Sequence, residues 1–240
     1  MKKILSVAIL PLLALSSCRI NVLKGEGTQV AETRTVKSFT NIDISVPLDA
    51  NITVKEGATP SVQLHGFQNI LKNIKTETDG STLRIFMNDN WSINTDEETK
   101  AEIVVPSLAN LSLEGAPNAF VHGNVVGPEF SVSISGAADA VIDNINVTKF
   151  SGDISGAGDI KLNGGKVNRA EYTVSGAGDI DAFPVQTNET IATVSGAGDG
   201  KISAAQKLEA HISGTGSIHY KGHPQLISDV SGVGSVTDAN

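Results

Sequence analysis

Four aspartates, Asp139, Asp159, Asp179 and Asp199, recur at intervals of 20 residues, each closing a Ser-Gly-Ala-Gly-Asp phrase or its near-copy. Carboxylates repeated this way do chemistry only if the fold stacks them, and two kinds are open to them. They can share a hard cation such as Ca²⁺, which takes carboxylate and carbonyl oxygens. They can also accept hydrogen bonds from nearby turn amides, as Asp, Asn and Ser commonly do. The equivalent position in other copies holds Asn118, Ser217 and Ser235, which suits an acceptor better than a charged metal ligand. Calcium-binding β-rolls use Gly-Gly-x-Gly-x-Asp in units of about nine residues. Here Asp follows Gly directly and the period is twice as long, so that geometry does not carry over. We read the four aspartates as turn acceptors and keep them as the calcium alternative. Repulsion between carboxylates ~4.8 Å apart costs only about 0.9 kcal/mol in water, which turn hydrogen bonds can offset.

Other reactive residues offer less. His211, His219 and His223 are spaced by eight and four residues, which matches no zinc pattern and reads as surface histidine. Trp91, the only Trp, lies in the polar stretch Asn88–Lys100. An exposed Trp there would stack on a sugar ring, whereas a buried one would be an anchor, the commoner case. No Gly-x-Ser-x-Gly elbow, P-loop or dinucleotide fingerprint occurs, because the Ser-Gly-Ala-Gly-Asp phrase lacks the Lys and the following helix that phosphate binding needs. No catalytic residue and no cofactor are therefore expected. The net charge of −8, with no Lys/Arg cluster, disfavours nucleic acid, since phosphate neutralisation needs a basic stripe.

What must position these residues is a repeat. Seven copies of the phrase start at residues 114, 135, 155, 175, 195, 213 and 231, the first of them degenerate (Glu114-Gly-Ala-Pro-Asn-Ala119). The residue before each copy is Leu113, Ile134, Ile154, Val174, Val194, Ile212 or Val230, always apolar. After each copy apolar residues return at every second position, as in Ile160/Leu162 and Ile218/Tyr220, which is strand periodicity. A helix would lose about 1 kcal/mol at each glycine relative to Ala. A propeller blade needs about 40 residues, twice the repeat, and a meander with one identical turn every ~20 residues would need two-strand units. The expected fold is all-β: a right-handed, single-stranded parallel β-helix of about 18–21 residues per coil, each motif about 4.8 Å above the last. The residues before the motifs should form one buried stack. Ala137, Ala157, Ala177 and Ala197 should line a corner where two faces meet closely, and the motif glycines should supply turn dihedrals. A narrow interior also accounts for an aromatic content of only 4%.

Residues 30–110 show the same alternation with the repeat eroded, in Phe39–Val46, Ala50–Val54, Ser61–Leu64, Leu83–Phe86 and Ala101–Val105. Only Gln68–Ile74 suits a helical turn. Without a linker, residues 30–240 read as one continuous body, with 30–110 as irregular coils and 111–240 as the regular repeats. Ahead of it, Lys2 and Lys3 precede an apolar run, Ile4–Leu15, too short to span a bilayer but fitting an export signal. Leu15-Ser16-Ser17-Cys18 has the pattern of a lipobox, and Cys18 is the only Cys, so no internal disulfide is available. We therefore expect a lipoprotein signal over 1–17, lipidation at Cys18, and a flexible tether over 18–29. The expected location is the bacterial cell envelope, anchored by lipid in the outer membrane.

The N-terminal strand phrases, the segment Phe67–Thr78, the step Val105-Pro106-Ser107-Leu108 and the serial Ser-Gly-Ala-Gly-Asp-Ile copies together resemble a bacterial family named putative autotransporter adhesin, head GIN domain. The resemblance covers roughly residues 35–237. It implies export, often as a lipoprotein, and a right-handed β-helix; it carries no catalytic or ligand residues. The function expected is that of a non-enzymatic, lipid-anchored scaffold or adhesin-like surface for a glycan or an envelope protein. The alternative is a polysaccharide lyase or glycosidase on the same fold. That alternative needs acids converging in a groove, whereas these acids fall in one line and no long insertion separates Ser135 from Ser231.

Overall fold

The residue before each copy of the motif lies directly on its counterpart one coil away, and all of them except the last, Val230, are buried. In the computed structural model, which describes residues 21–88, 91–93 and 99–240, Leu113 pairs in parallel register with Ile134, then Ile154, Val174, Val194, Ile212 and Val230 in turn. This is a single-stranded parallel β-helix of about six turns. One face holds the strands that run into the motif. A second holds those that leave it, such as Ile160–Leu162 and Ile180–Asp181. A third stacks residues 124–127, 144–147, 165–167 and 185–187. Residues 1–17 and Cys18 lie outside the described residues.

Alternation along each strand drives one continuous core from Phe39 to Ile218. Three aromatic rings follow one another through it, Phe150 directly on Phe130 and Tyr172 diagonally beyond, each step 5.7 Å between ring centres. Gly152 makes the room, since a methyl group there would lie 3.1 Å from the Phe150 ring and 3.4 Å from Tyr172. Burial pushes the Tyr172 hydroxyl pKa up.

The corner differs from expectation in two ways. Ala137, Ala157, Ala177 and Ala197 are exposed, and the buried position is the one after them, held by Ala138, Gly158, Gly178 and Gly198. The motif glycines are also needed for space more than for dihedrals. Among the first glycines of the copies, only Gly115 and Gly136 have positive φ in the left-handed range. From Gly156 onward an added methyl group would lie within 2 Å of the carbonyl oxygen of the coil below. The coils touch there through bare backbone, with the Ala177 N–H donating to the Gly156 carbonyl at 2.8 Å.

The first part of the body is less regular than a run of eroded coils. Ile44 pairs with Ile85 on one side and Leu113 on the other, and Ile52 pairs with Ile103 and Val121. The coil made by Asn41–Ile44 and Asp49–Val54 therefore lies inside the one made by Thr82–Met87 and Lys100–Val105, which follows it in sequence. Antiparallel strands close this end: Ser61–Phe67 pairs with Lys100–Val105, Gln29–Arg34 pairs with Ser61–Phe67, and Ile74–Asp79 forms a hairpin with Thr82–Met87. An uncovered edge of a parallel stack would leave a row of backbone groups unpaired, and these strands satisfy it. The helical turn is present at Gln68–Leu71 and buries Ile70 and Leu71.

The segment expected as a tether is ordered from Asn21. Asn21–Leu23 pairs with Trp91–Ile93. The Asn69 side chain accepts from the Glu26 N–H at 3.0 Å and donates to the Lys24 carbonyl at 2.7 Å. One amide group holding both a donor and an acceptor of the backbone is enough to dock a short polar stretch.

Candidate functional site

The four aspartates stand in one column at the corner that leads out of the motif. Each uses one carboxylate oxygen on the coil above it. Asp139 accepts from the Asp159 N–H at 2.9 Å, Asp159 from the Asp179 N–H at 2.8 Å, and Asp179 from the Asp199 N–H at 2.7 Å. Asp199 accepts from the Ser217 N–H at 2.7 Å. The column thus ties each corner to the next, because each amide meets a carboxylate from its neighbour. The second carboxylate oxygen of each has no hydrogen-bond partner among the described residues and faces outward.

Two residues further along each strand, a second outward column runs beside the first. It holds Val141, Lys161, Asp181 and Lys201, paired in register. Buried Ala140, Ile160 and Ile180 form the floor between the columns. The result is an open groove of about 320 Å³ along the solenoid axis, with Asp139, Asp159, Asp179 and Asp199 on one wall and Lys161 and Lys201 on the other. Five carboxylates, Asp181 between the two lysines included, outnumber two ammonium groups, so the groove is negative with positive points set into it.

A second polar strip, on the third face, was not foreseen from the sequence. Asn144 and Asn146 both donate to Asn124, at 2.9 and 2.8 Å, and Asn188 donates to Asn168 at 2.9 Å. A shallow hollow of about 410 Å³ lies there among Asn146, Thr148, Lys166, Asn168, Gln186 and Asn188. The signal was present as asparagines 20 residues apart, at 124/144 and 168/188, but only if the motif's period is carried away from the motif itself. Close by, His122 Nδ1 sits 3.2 Å from Asp143, with both side chains about half exposed.

The histidines of the C-terminal part do not converge. His211 stacks between Thr193 and Asp229 on the face that enters the motif, whereas His219 stacks between Lys201 and Thr237 on the face that leaves it. Among the described residues no group of three His, Cys, Asp or Glu side chains is placed to hold a metal ion. Trp91 enters the short strand Trp91–Ile93, and residues 89–90 and 94–98 of the polar stretch around it lie outside the described residues. Cys18 lies outside them as well.

The model of a protein family described as "Putative auto-transporter adhesin, head GIN domain" matches residues 38–224. The chain belongs to this adhesin-head family. The description is that of an extracellular or envelope protein. Three solved structures share the fold of this head-GIN chain. A putative adhesin from Bacteroides fragilis NCTC 9343 superposes with a TM-score of 0.84 at 23% identity, covering 90% of this chain and 99% of that one. A putative adhesin from Parabacteroides merdae ATCC 43184 gives 0.72 at 21% identity, covering 92% and 100%. A putative lipid binding protein from Parabacteroides distasonis ATCC 8503 gives 0.72 at 20% identity, also covering 92% and 100%. No curated protein matches the chain.

The hydrogen bonds of the column set a clear expectation for this head-GIN protein. Asp159→Ala leaves the Asp179 N–H without its acceptor and should cost about 1 kcal/mol in urea unfolding. Asp159→Asn keeps an acceptor oxygen and should cost much less. Millimolar Ca²⁺ should leave the wild-type melting temperature in place. A rise of many degrees that Asp159→Asn and Asp179→Asn abolish would make the column a cation site instead.

Proposed function

We propose that the protein is a non-enzymatic, lipid-anchored binding surface of the bacterial envelope, and that its ligand is an extended polar chain laid along the solenoid axis. A glycan suits the surface best. The observation that carries the reading is repetition: the groove presents one outward carboxylate oxygen per coil from Asp139 to Asp199, with Lys161 and Lys201 opposite. Vicinal hydroxyls donate to such oxygens and accept from ammonium groups, and each repeat offers the same weak contact again. Many weak contacts in register add up when one chain spans them.

Catalysis of glycoside cleavage calls for two carboxyl groups flanking one bond, one of them kept protonated by its surroundings. Four of the groove's five acids lie along one wall, each committed to an amide of the next coil, and the fifth, Asp181, stands between Lys161 and Lys201 on the other. That arrangement supports binding over bond breaking.

The purified full chain in detergent, screened against envelope and host glycans, should bind at least one polysaccharide with weak, length-dependent affinity. The double variant Asp159→Asn, Asp179→Asn should reduce that binding severalfold without loss of fold. Release of new sugar ends from a bound polysaccharide would instead establish the lyase or glycosidase alternative.

Anchoring is tested separately. One thioether-linked diacylglycerol and an amide-linked acyl chain provide stable attachment, so Cys18→Ala should move the protein from the membrane fraction to the soluble fraction or leave it unprocessed. A variant that stays with membranes after a high-salt wash would remove Cys18 from the reading.

A further inference from the structure

At the far end of the solenoid from the antiparallel cap, Gln225–Val230 pairs on one side with Lys207–Ile212, and Val236–Asp238 pairs with Ile218–Lys221. Among the described residues neither strand has a partner on its other edge. Leu226 and Val230 continue the columns of Leu208 and Ile212. Those two are buried, whereas Leu226 and Val230 are 40% and 42% exposed. A further coil of any kind would cover them.

Two outward side chains of the same coil are apolar as well. Ile227 is 46% exposed and stands in the outward column of Glu209; Val233 is 88% exposed, one coil above outward Thr215. The column of Ile227 runs Glu171, Ile191, Glu209 through the earlier coils, and that of Val233 runs through Ala157, Ala177, Ala197 and Thr215, so at this end both columns close on a large apolar side chain.

We propose that two copies of the protein associate tail to tail through Gln225–Val230, in an antiparallel pair across a two-fold axis. The strand is complementary to itself. With Ile227 opposite its own copy, Leu226 meets Ser228 and Gln225 meets Asp229. Inward residues then face inward residues, an amide faces a carboxylate, and no like charges oppose. Head-to-tail association lacks this match. The opposite end presents a different strand, Gln29–Arg34, which runs antiparallel to its neighbour and carries the Glu32–Arg34 ion pair at 3.0 Å. An isologous contact closes at two copies and leaves the groove of each facing solvent.

Disulfide trapping tests the geometry directly, because residues opposed across an antiparallel two-fold bring their side chains within bridging distance. The Ile227→Cys variant of the full chain, mildly oxidised in whole cells, should run at twice the monomer mass on a non-reducing gel. Wild type, with Cys18 alone, and Thr173→Cys, on the same face in mid-solenoid, should remain monomeric. Sedimentation of the detergent-solubilised wild type should show the dimer, and Ile227→Lys should weaken it about tenfold or more with an unchanged melting temperature. A wild type that stays monomeric at tens of micromolar overturns the proposal, as does a dimer that Ile227→Lys leaves intact.

Discussion

Val174→Asp is expected to unfold the coils around it. Val174 is 1% exposed and lies between Ile154 and Val194, each paired with it in register. A carboxylate there has no partner and no water, and the cost of such a group is several kcal/mol. Each coil rests mainly on the coils above and below it, so the damage should spread along the stack rather than appear everywhere at once. Hydrogen exchange on the variant should lose protection first over Ile154–Val194 and later over Phe39–Val54. Lys161→Ala, an exposed position two coil corners away, should change stability by less than about 0.5 kcal/mol. If Val174→Asp leaves the urea midpoint near that of Lys161→Ala, the one-motif-per-coil register is wrong.

Gly176→Ala should be nearly as damaging, although it adds a single carbon. That carbon would lie 1.8 Å from the Gly156 carbonyl oxygen and 2.7 Å from the carbonyl carbon. The same oxygen accepts the Ala177 N–H at 2.8 Å, and the Gly176 carbonyl accepts the Ala197 N–H at 2.9 Å. Ordinary contact distance is reached only if the Gly156 and Gly176 corners separate by more than an ångström, which breaks the Ala177 bond and displaces the carbonyl that the Ala197 N–H needs. The expected cost is about 3 kcal/mol or more, read from urea unfolding. Ala177→Val, one residue along, adds two carbons on an exposed position and should cost less than about 0.5 kcal/mol. Equal effects of the two substitutions would mean that the corner is not closed through bare backbone.

The contrast between these neighbours marks where sequence reading succeeds and where it stops. The stack from Leu113 to Val230 was legible because the strand period and the 18–21-residue period agree on the same residues. At the corner that agreement lapses. Ala177 and Gly178 are both small, and which of them turns inward depends on how the chain bends, a property of the stacked backbone and not of either side chain. The antiparallel cap was hidden for a related reason. Alternation at Ser61–Leu64 and Ala101–Val105 looks alike whether the strands run parallel or antiparallel. Asp79-Gly80 was a local sign of reversal, and it does carry the hairpin between Ile74–Asp79 and Thr82–Met87. Nothing local could say that the coil of Asn41–Val54 would be enclosed by a later one, because that order is decided by which edges find partners. Of the groove, the Asp column followed from the repeat, but its wall of Lys161, Asp181 and Lys201 required the register of the faces. The asparagine strip went unseen because it lies away from the motif.

The enclosed coil has a mechanical consequence. A solenoid whose coils follow one another in order can be peeled from its end, one rung at a time, by a modest pull. Here a pull on the N-terminal segment meets first the pairing of Asn21–Leu23 with Trp91–Ile93 and the Asn69 clasp. Next come Gln29–Arg34, whose antiparallel bonds to Ser61–Phe67 share the load, and then Asn41–Ile44. That strand is gripped by Thr82–Met87 on one side and Asn110–Gly115 on the other. To move it, two ladders must fail together instead of one after another. A protein held to a surface by its N-terminal end and drawn away by what it binds would meet traction at the place where its coils are doubly fastened.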